Sequence, residues 1–214
     1  MNAKGFTLIE LLVAMAITGI LAGLVMTFFS STSDGVTQQT HVATQTAVVQ
    51  RALGLMGDDI RRAELIVPVD SAFTLPLGTS GLTAPSKTGA DRFDVYVVTP
   101  ATGSSCTTTY EFRSYFLVGR SVVTGLTDTW LQLPNDTANS AQKVLVQFLG
   151  CSNSLTAPSS GNVRLVADYI KQFQVTYGAS NELTLTLQGQ RTLRGRLLTS
   201  PLTPATGTYY SRRM

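Results

Sequence analysis

The chain has 214 residues, with 16 Lys and Arg against 13 Asp and Glu, for a formal net charge of +3. So small an excess is no electrostatic footprint of a nucleic-acid-binding domain. Two cysteines and one histidine fall short of the four N/S ligands usual at a structural zinc site. The length suits one anchor helix and one globular domain of ordinary size.

Residues 4–29 read KGFTLIELLVAMAITGILAGLVMTFF, a lysine and a glycine followed by about 24 residues of membrane-grade hydrophobicity broken by one acid, Glu10. At ~1.5 Å per residue the run spans roughly 36 Å as a helix, enough to cross a bilayer core of ~30 Å. A carboxylate inside it costs ~2.5–3.5 kcal/mol on insertion scales, so Glu10 is expected to have a partner. A secretory signal peptide would have a shorter apolar core and a small-residue exit site, neither of which is present. An ordinary signal anchor fits the length and leaves Glu10 unexplained. Gly19 and Gly23, four apart on one helix face, make a weak small-xxx-small pattern.

The polar run Ser30–Gly35 carries helix-breaking residues and reads either as an interruption or as the exit from the membrane. From Val36 the helical period resumes, with Val42, Val49, Leu53, Met56 and Ile60 on one stripe, and the helix is expected to reach about Glu64. Four segments are assigned from this pattern: residues 1–5, 6–29, 30–66 and a β-rich domain over 67–214. Past Pro68 the period becomes two. Candidate strands are Phe93–Thr99, Tyr110–Val118, Thr129–Leu133, Val144–Leu149, Gln172–Tyr177, Glu182–Gln188 and Thr192–Thr199. Tyr177–Glu182 reads as a hairpin turn, with Gly178 and Asn181 suited to positive φ. Loops are expected over Leu75–Gly89, Pro100–Ser105 and Ser152–Asn162. Cys106 and Cys151 both follow the membrane segment. An even count in an exported domain reads as one disulfide, worth roughly 4 kcal/mol in the chain-entropy model, the alternative being two separate buried thiols.

The stretch GFTLIELLVAMAI resembles the N-terminus of type IV pilins and type II secretion pseudopilins: a short basic leader ending in glycine, then Phe, then Glu at the fifth position after the cut. The resemblance implies cleavage after Gly5 by a prepilin peptidase and methylation of the new N-terminal Phe6. It also implies a pairing of Glu10 with the N-terminal amine of a neighbouring pilin or pseudopilin subunit. A buried carboxylate and a buried ammonium each need such a counter-charge. The implied fold is α+β, a long N-terminal helix packed on a C-terminal antiparallel sheet. The implied location is the bacterial inner membrane, with the domain outside, before assembly into a filament. Residues 50–66 (QRALGLMGDDIRRAELI) and 166–178 (VADYIKQFQVTYG) are similar to PilW-type minor pilins and J-type pseudopilins.

No phosphate-binding glycine loop, nucleophile elbow, CxxC or HExxH occurs, so no enzyme, cofactor, metal or small-molecule substrate is expected. His41 reads as a solvent-facing helical residue. Asp58 and Asp59 point about 100° apart on a helix and read as surface partners of Arg61 and Arg62. A DNA-contacting face is the one nucleic-acid reading, built on Arg191, Arg194 and Arg196 with Tyr209, Tyr210, Arg212 and Arg213 near the C-terminus. In it Arg194 and Arg196 share one strand face and Arg191 does not. Asn135-Asp136-Thr137 is a glycosylation sequon, a triplet that often arises by chance.

Overall fold

The structure, a computed structural model, describes residues 7–67, 92–99, 106–124, 133–155, 158, 160–178 and 182–211. The order is α1 (Leu8–Arg62), β1 (Ala63–Val67), β2 (Arg92–Val98), β3 (Tyr110–Gly119), α2 (Arg120–Thr124), a 3-10 turn (Thr137–Asn139), β4 (Lys143–Ser152), β5 (Gly161–Tyr177), β6 (Glu182–Leu193) and β7 (Arg196–Tyr210). The fold is α+β and pilin-like: one long N-terminal helix, then a seven-stranded antiparallel sheet in the order β1-β2-β3-β4-β5-β6-β7. It divides into two compact units, residues 1–41 and 42–214.

The first unit is the amino-terminal part of α1. Its large apolar side chains from Leu8 to Phe29 are more than half exposed within the chain, as expected of a segment whose surroundings are lipid or other helices. The helix is not interrupted at Ser30–Gly35, contrary to one of the two readings of that run. Threonine hydroxyls replace outside partners along it: Thr27, Thr32, Thr37 and Thr40 each donate to the carbonyl four residues back, at 2.8–2.9 Å. Such back-bonding satisfies a hydroxyl where no water is available.

In the second unit, residues 42–62 of α1 bury Val49, Leu53, Met56 and Ile60 of the expected stripe against the sheet, while Val42, its first member, is half-buried. Facing them are Phe93, Val95 and Val97 of β2, Tyr115 of β3, Leu145 of β4 and Leu183, Leu185 and Leu187 of β6. The alternate residues of β2–β4, among them Tyr96, Phe112, Phe116, Val146 and Phe148, build a second core on the other face. That is why β2 is buried along six of its seven positions. The approach of helix to sheet is closest at Gly57, where a Cβ would lie 2.1 Å from the Tyr209 ring. Tyr209 donates to the Leu53 carbonyl at 2.9 Å, a carbonyl that already takes an intrahelical bond.

Several boundaries differ from the sequence reading, and β5 begins at Gly161, eleven residues before its expected start at Gln172. The helix stops at Arg62, and residues 63–67 form β1, paired with β2. The β6 and β7 strands extend beyond their expected ends, and β7 runs to Tyr210 through Pro201 and Pro204. Proline argues against a central strand, but β7 is the sheet's last strand and tolerates missing donors. Thr192–Thr199 is not one strand. It is broken by a two-residue turn, Arg194 (φ 49°) and Gly195 (φ 76°), the positive-φ pair that a type I′ hairpin needs. Gly178 does not adopt positive φ, while Asn181 lies outside the described residues. So do Leu75–Gly89, Pro100–Ser105 and the expected strand from Thr129 through residue 132, whose last residue, Leu133, is not in a strand.

Candidate functional site: the helix N-terminus and its polar supports

Gly5 and Phe6 lie outside the described residues; Glu10 lies within the first turn of α1. Its Oε2 accepts the Thr7 backbone N–H at 2.9 Å and the Thr7 hydroxyl at 2.8 Å. The Glu10 N–H donates in turn to Thr7 Oγ1 at 3.4 Å. This reciprocal pattern is a capping box, with Thr7 as the N-cap residue and Glu10 three positions later. The helix N-terminus also favours a negative charge there. The partner expected for Glu10 therefore exists, in part, within its own chain. The signal was legible as T-L-I-E, a Thr three residues before a Glu at the start of an apolar run, and was not used.

The acid pair on α1 splits between two environments. Asp58 is exposed and pairs with Arg61 at 2.7 Å. Asp59 is not the surface residue expected: it is 2% exposed. Its carboxylate accepts from the Arg113 guanidinium, from the Tyr115 hydroxyl and from Gln147 Nε2 at 3.1 Å. Arg113 also pairs with Glu111, and Arg164 donates to Gln147. Burial works against the charge of Arg113, yet the Asp59 and Glu111 carboxylates together hold its pKa above the ordinary value. Burial, and then the Asp59 charge, push the Tyr115 hydroxyl well above the usual phenol range. No spacing rule announces this network, because its members come from α1, β3, β4 and β5. The other face of the sheet carries a second buried pair, Arg92 and Asp94, bridged at 2.7 Å and 2.9 Å and joined by the Ser114 hydroxyl at 2.5 Å.

The expected DNA-contacting arginines do not form one face. Arg191 pairs with Asp136 at 3.2 Å and lies over the Tyr169 ring at 4.4 Å. Arg194 is in the hairpin turn, not on a strand face with Arg196, and both are exposed. Tyr209 is 9% exposed and unavailable for stacking on bases, while Tyr210 is exposed. Arg212 and Arg213 lie outside the described residues. Tyr169 itself has φ 57° and sits where β5 leaves β4 for β6. Asp168 Oδ1 accepts its N–H at 2.7 Å, and Gln45 of α1 donates to the Asp168 carbonyl at 2.9 Å. Asp136 is raised by its partial burial, but bonds donated by Asn139, Tyr169 and Arg191 outweigh this and lower its pKa.

Cys106 and Cys151 are joined in a disulfide, with Cα atoms 5.5 Å apart. His41 is half-buried, not solvent-facing, and Asn135 is exposed. A groove of about 690 Å³ between residues 48–58 of α1 and residues 164–166 of β5 is lined by Val48, Leu55 and Leu165, with Arg51, Asp58 and Arg164 among them. It brings together no nucleophile and base.

Residues 1–26 match the family model of the prokaryotic N-terminal methylation motif. The match supports a type IV pilin-like or pseudopilin protein and covers the segment that holds Gly5, Phe6, Thr7 and Glu10. The apolar N-terminal part of α1, which the match overlaps, fits a single-pass membrane anchor. Neither a curated protein nor a solved structure matches the chain.

Proposed function

We propose that the chain is a minor pilin, a structural subunit that initiates or tips a type IV pilus, in motility, adhesion or DNA uptake. The observation that carries this reading is the methylation motif over residues 1–26, which takes in most of the apolar part of α1. Prepilin peptidase would cut after Gly5, and Phe6 would become the methylated N-terminus. Residues 6–29 would hold the chain in the inner membrane and then pack against other subunits. Residues 30–66 carry the domain's helix, and 67–214 the domain presented outside the membrane.

The chemistry of the site fits assembly better than catalysis. Both Thr7 donors end on Glu10 Oε2, so Oε1 is the oxygen through which a neighbour's N-terminal ammonium would pair. The capping box holds the carboxylate aimed before that neighbour arrives, and its two donors from Thr7 lower the cost of a polar group in an apolar helix. On this reading Glu10→Ala is still processed but fails to enter filaments. Immunoblots of the sheared filament fraction test it, and wild-type levels of the alanine protein in that fraction would overturn the assigned role.

A J-like pseudopilin of type II secretion uses the same N-terminal chemistry. Genes for other minor pilins beside this one favour the pilus, and a secretin operon favours secretion. A pilus-displayed DNA receptor retains two of its three arginines, Arg194 and Arg196.

A further inference from the structure

We propose that the groove between residues 48–58 of α1 and residues 164–166 of β5 docks a segment of a partner protein in which aliphatic side chains flank a carboxylate. Its apolar lining includes Val48, Leu55, Leu165 and Val166, all half-buried, so each keeps some surface for a visiting side chain. From Val48 to Asp58 the α1 wall rises roughly 15 Å, the length of four or five residues of extended chain.

Charge selects the occupant. The ionic groups of the lining are Arg51, Asp58 and Arg164. Asp58 is taken by Arg61 at 2.7 Å, which leaves the groove with two guanidinium groups in excess. Neither Arg51 nor Arg164 has an acid partner among the described residues. Arg164 is anchored through Nε, which donates to Gln147 Oε1, and Gln147 Nε2 donates in turn to the buried Asp59 at 3.1 Å. That leaves its Nη groups for a carboxylate, which a guanidinium fork can take through parallel bonds. Arg51 is exposed on the α1 side of the same groove.

Gly54 adds an independent sign. It lines the groove, and a Cβ there would meet nothing within 4 Å. A glycine inside a helix lowers the helix's stability, and no neighbour among the described residues calls for this one, in contrast to Gly57 beneath the Tyr209 ring. A partner backbone drawn close to α1 is what the missing side chain permits. Nucleic acid would bring anions but no aliphatic groups for Val48, Leu55 and Leu165, and no aromatic ring lines the groove to stack a base. A fatty acid offers a carboxylate and an aliphatic chain, but it would draw nothing from Gly54. A protein segment uses all three features.

The test uses the full chain in phosphatidylcholine nanodiscs and two amidated peptides that carry a neutral dye, Ala-Leu-Val-Glu-Leu-Leu-Ala-Ser and its counterpart with Gln for Glu, read by fluorescence anisotropy. The glutamate peptide should bind roughly tenfold more tightly than the glutamine peptide, the scale of one charged hydrogen bond. Arg51→Gln should weaken the glutamate peptide by a similar factor, and high salt should shrink both differences. Gly54→Leu should abolish binding while amide exchange in β4 stays constant. If Gly54→Leu alters that exchange, the peptide pair and Arg51→Gln decide alone. Equal affinity of the two peptides, no binding of the glutamate peptide, or binding that survives Gly54→Leu unchanged overturns the proposal. So does displacement of the dye-labelled peptide by dodecanoate at a lower concentration than by unlabelled peptide, which gives the groove to an acyl chain. Pairing of the wild-type chain in nanodiscs that Gly54→Leu abolishes gives the groove to a second copy and overturns the assignment to a partner.

Discussion

Gly54 and Gly57, one turn apart on α1, face opposite demands. A Cβ at Gly57 would lie 2.1 Å from the Tyr209 ring, whereas one at Gly54 would meet nothing within 4 Å. Gly57→Ala should therefore destabilise the domain by about 1–3 kcal/mol through overpacking, and Gly54→Ala should stabilise it by about 0.5–1 kcal/mol through helix propensity. Denaturant midpoints of the two variants check both signs. At the other end of the helix, Thr7→Ala removes the N-cap and should cost about 1 kcal/mol, while Thr7→Ser should retain the cap. Amide exchange over the first turn of α1 in lipid distinguishes the two. Asp136 supplies the pH dependence. Its carboxyl is lowered by donated bonds from the ordinary 3.8, so it contributes stability above that pH and loses it as pH falls through its folded value. Asp136→Asn should flatten that part of the acid unfolding curve, and an unchanged curve would count against the Asn139–Tyr169–Arg191 arrangement.

Elements that were regular were legible, and elements that depended on their neighbours were not. The stripe Val49, Leu53, Met56 and Ile60 and the alternation Leu183, Leu185 and Leu187 each follow from one period, and both are buried as the pattern demands. The part of β7 beyond Thr199 was missed because Pro201 and Pro204 speak against a strand, and only the sheet order makes an edge position admissible. Asp59 looked like a surface acid because it adjoins Asp58. Its burial depends on Arg113, Tyr115 and Gln147, which lie 54 to 88 residues away. Such a network holds the helix in one register on the sheet, since sliding α1 would strand a charge. Asp59→Ala should cost about 3–5 kcal/mol by leaving the buried Arg113 short of a partner. Asp59→Ala combined with Arg113→Met should recover part of that loss. Chemical denaturation of the two variants is the check, and strict additivity would show that the pair is not coupled.

At the scale of the whole molecule, the parts serve one arrangement: an apolar helix with a capped acid at its first turn, and a β domain fastened to the continuation of that helix. Tyr209, Ser200, Gln45 and Asp59 fasten the sheet to residues 42–62 of α1 by hydrogen bonds from four directions along the chain. The methylation motif, by contrast, was legible in the sequence because its pattern is local: Gly5, Phe6 and Glu10 lie within six residues at the head of an apolar run. The most direct measurement is the intact mass of this chain recovered from sheared filaments of cells with an active prepilin peptidase. The account predicts a chain that begins at N-methylated Phe6 and is present in the filament fraction. A chain that still begins at Met1, or one processed but absent from filaments, would contradict it.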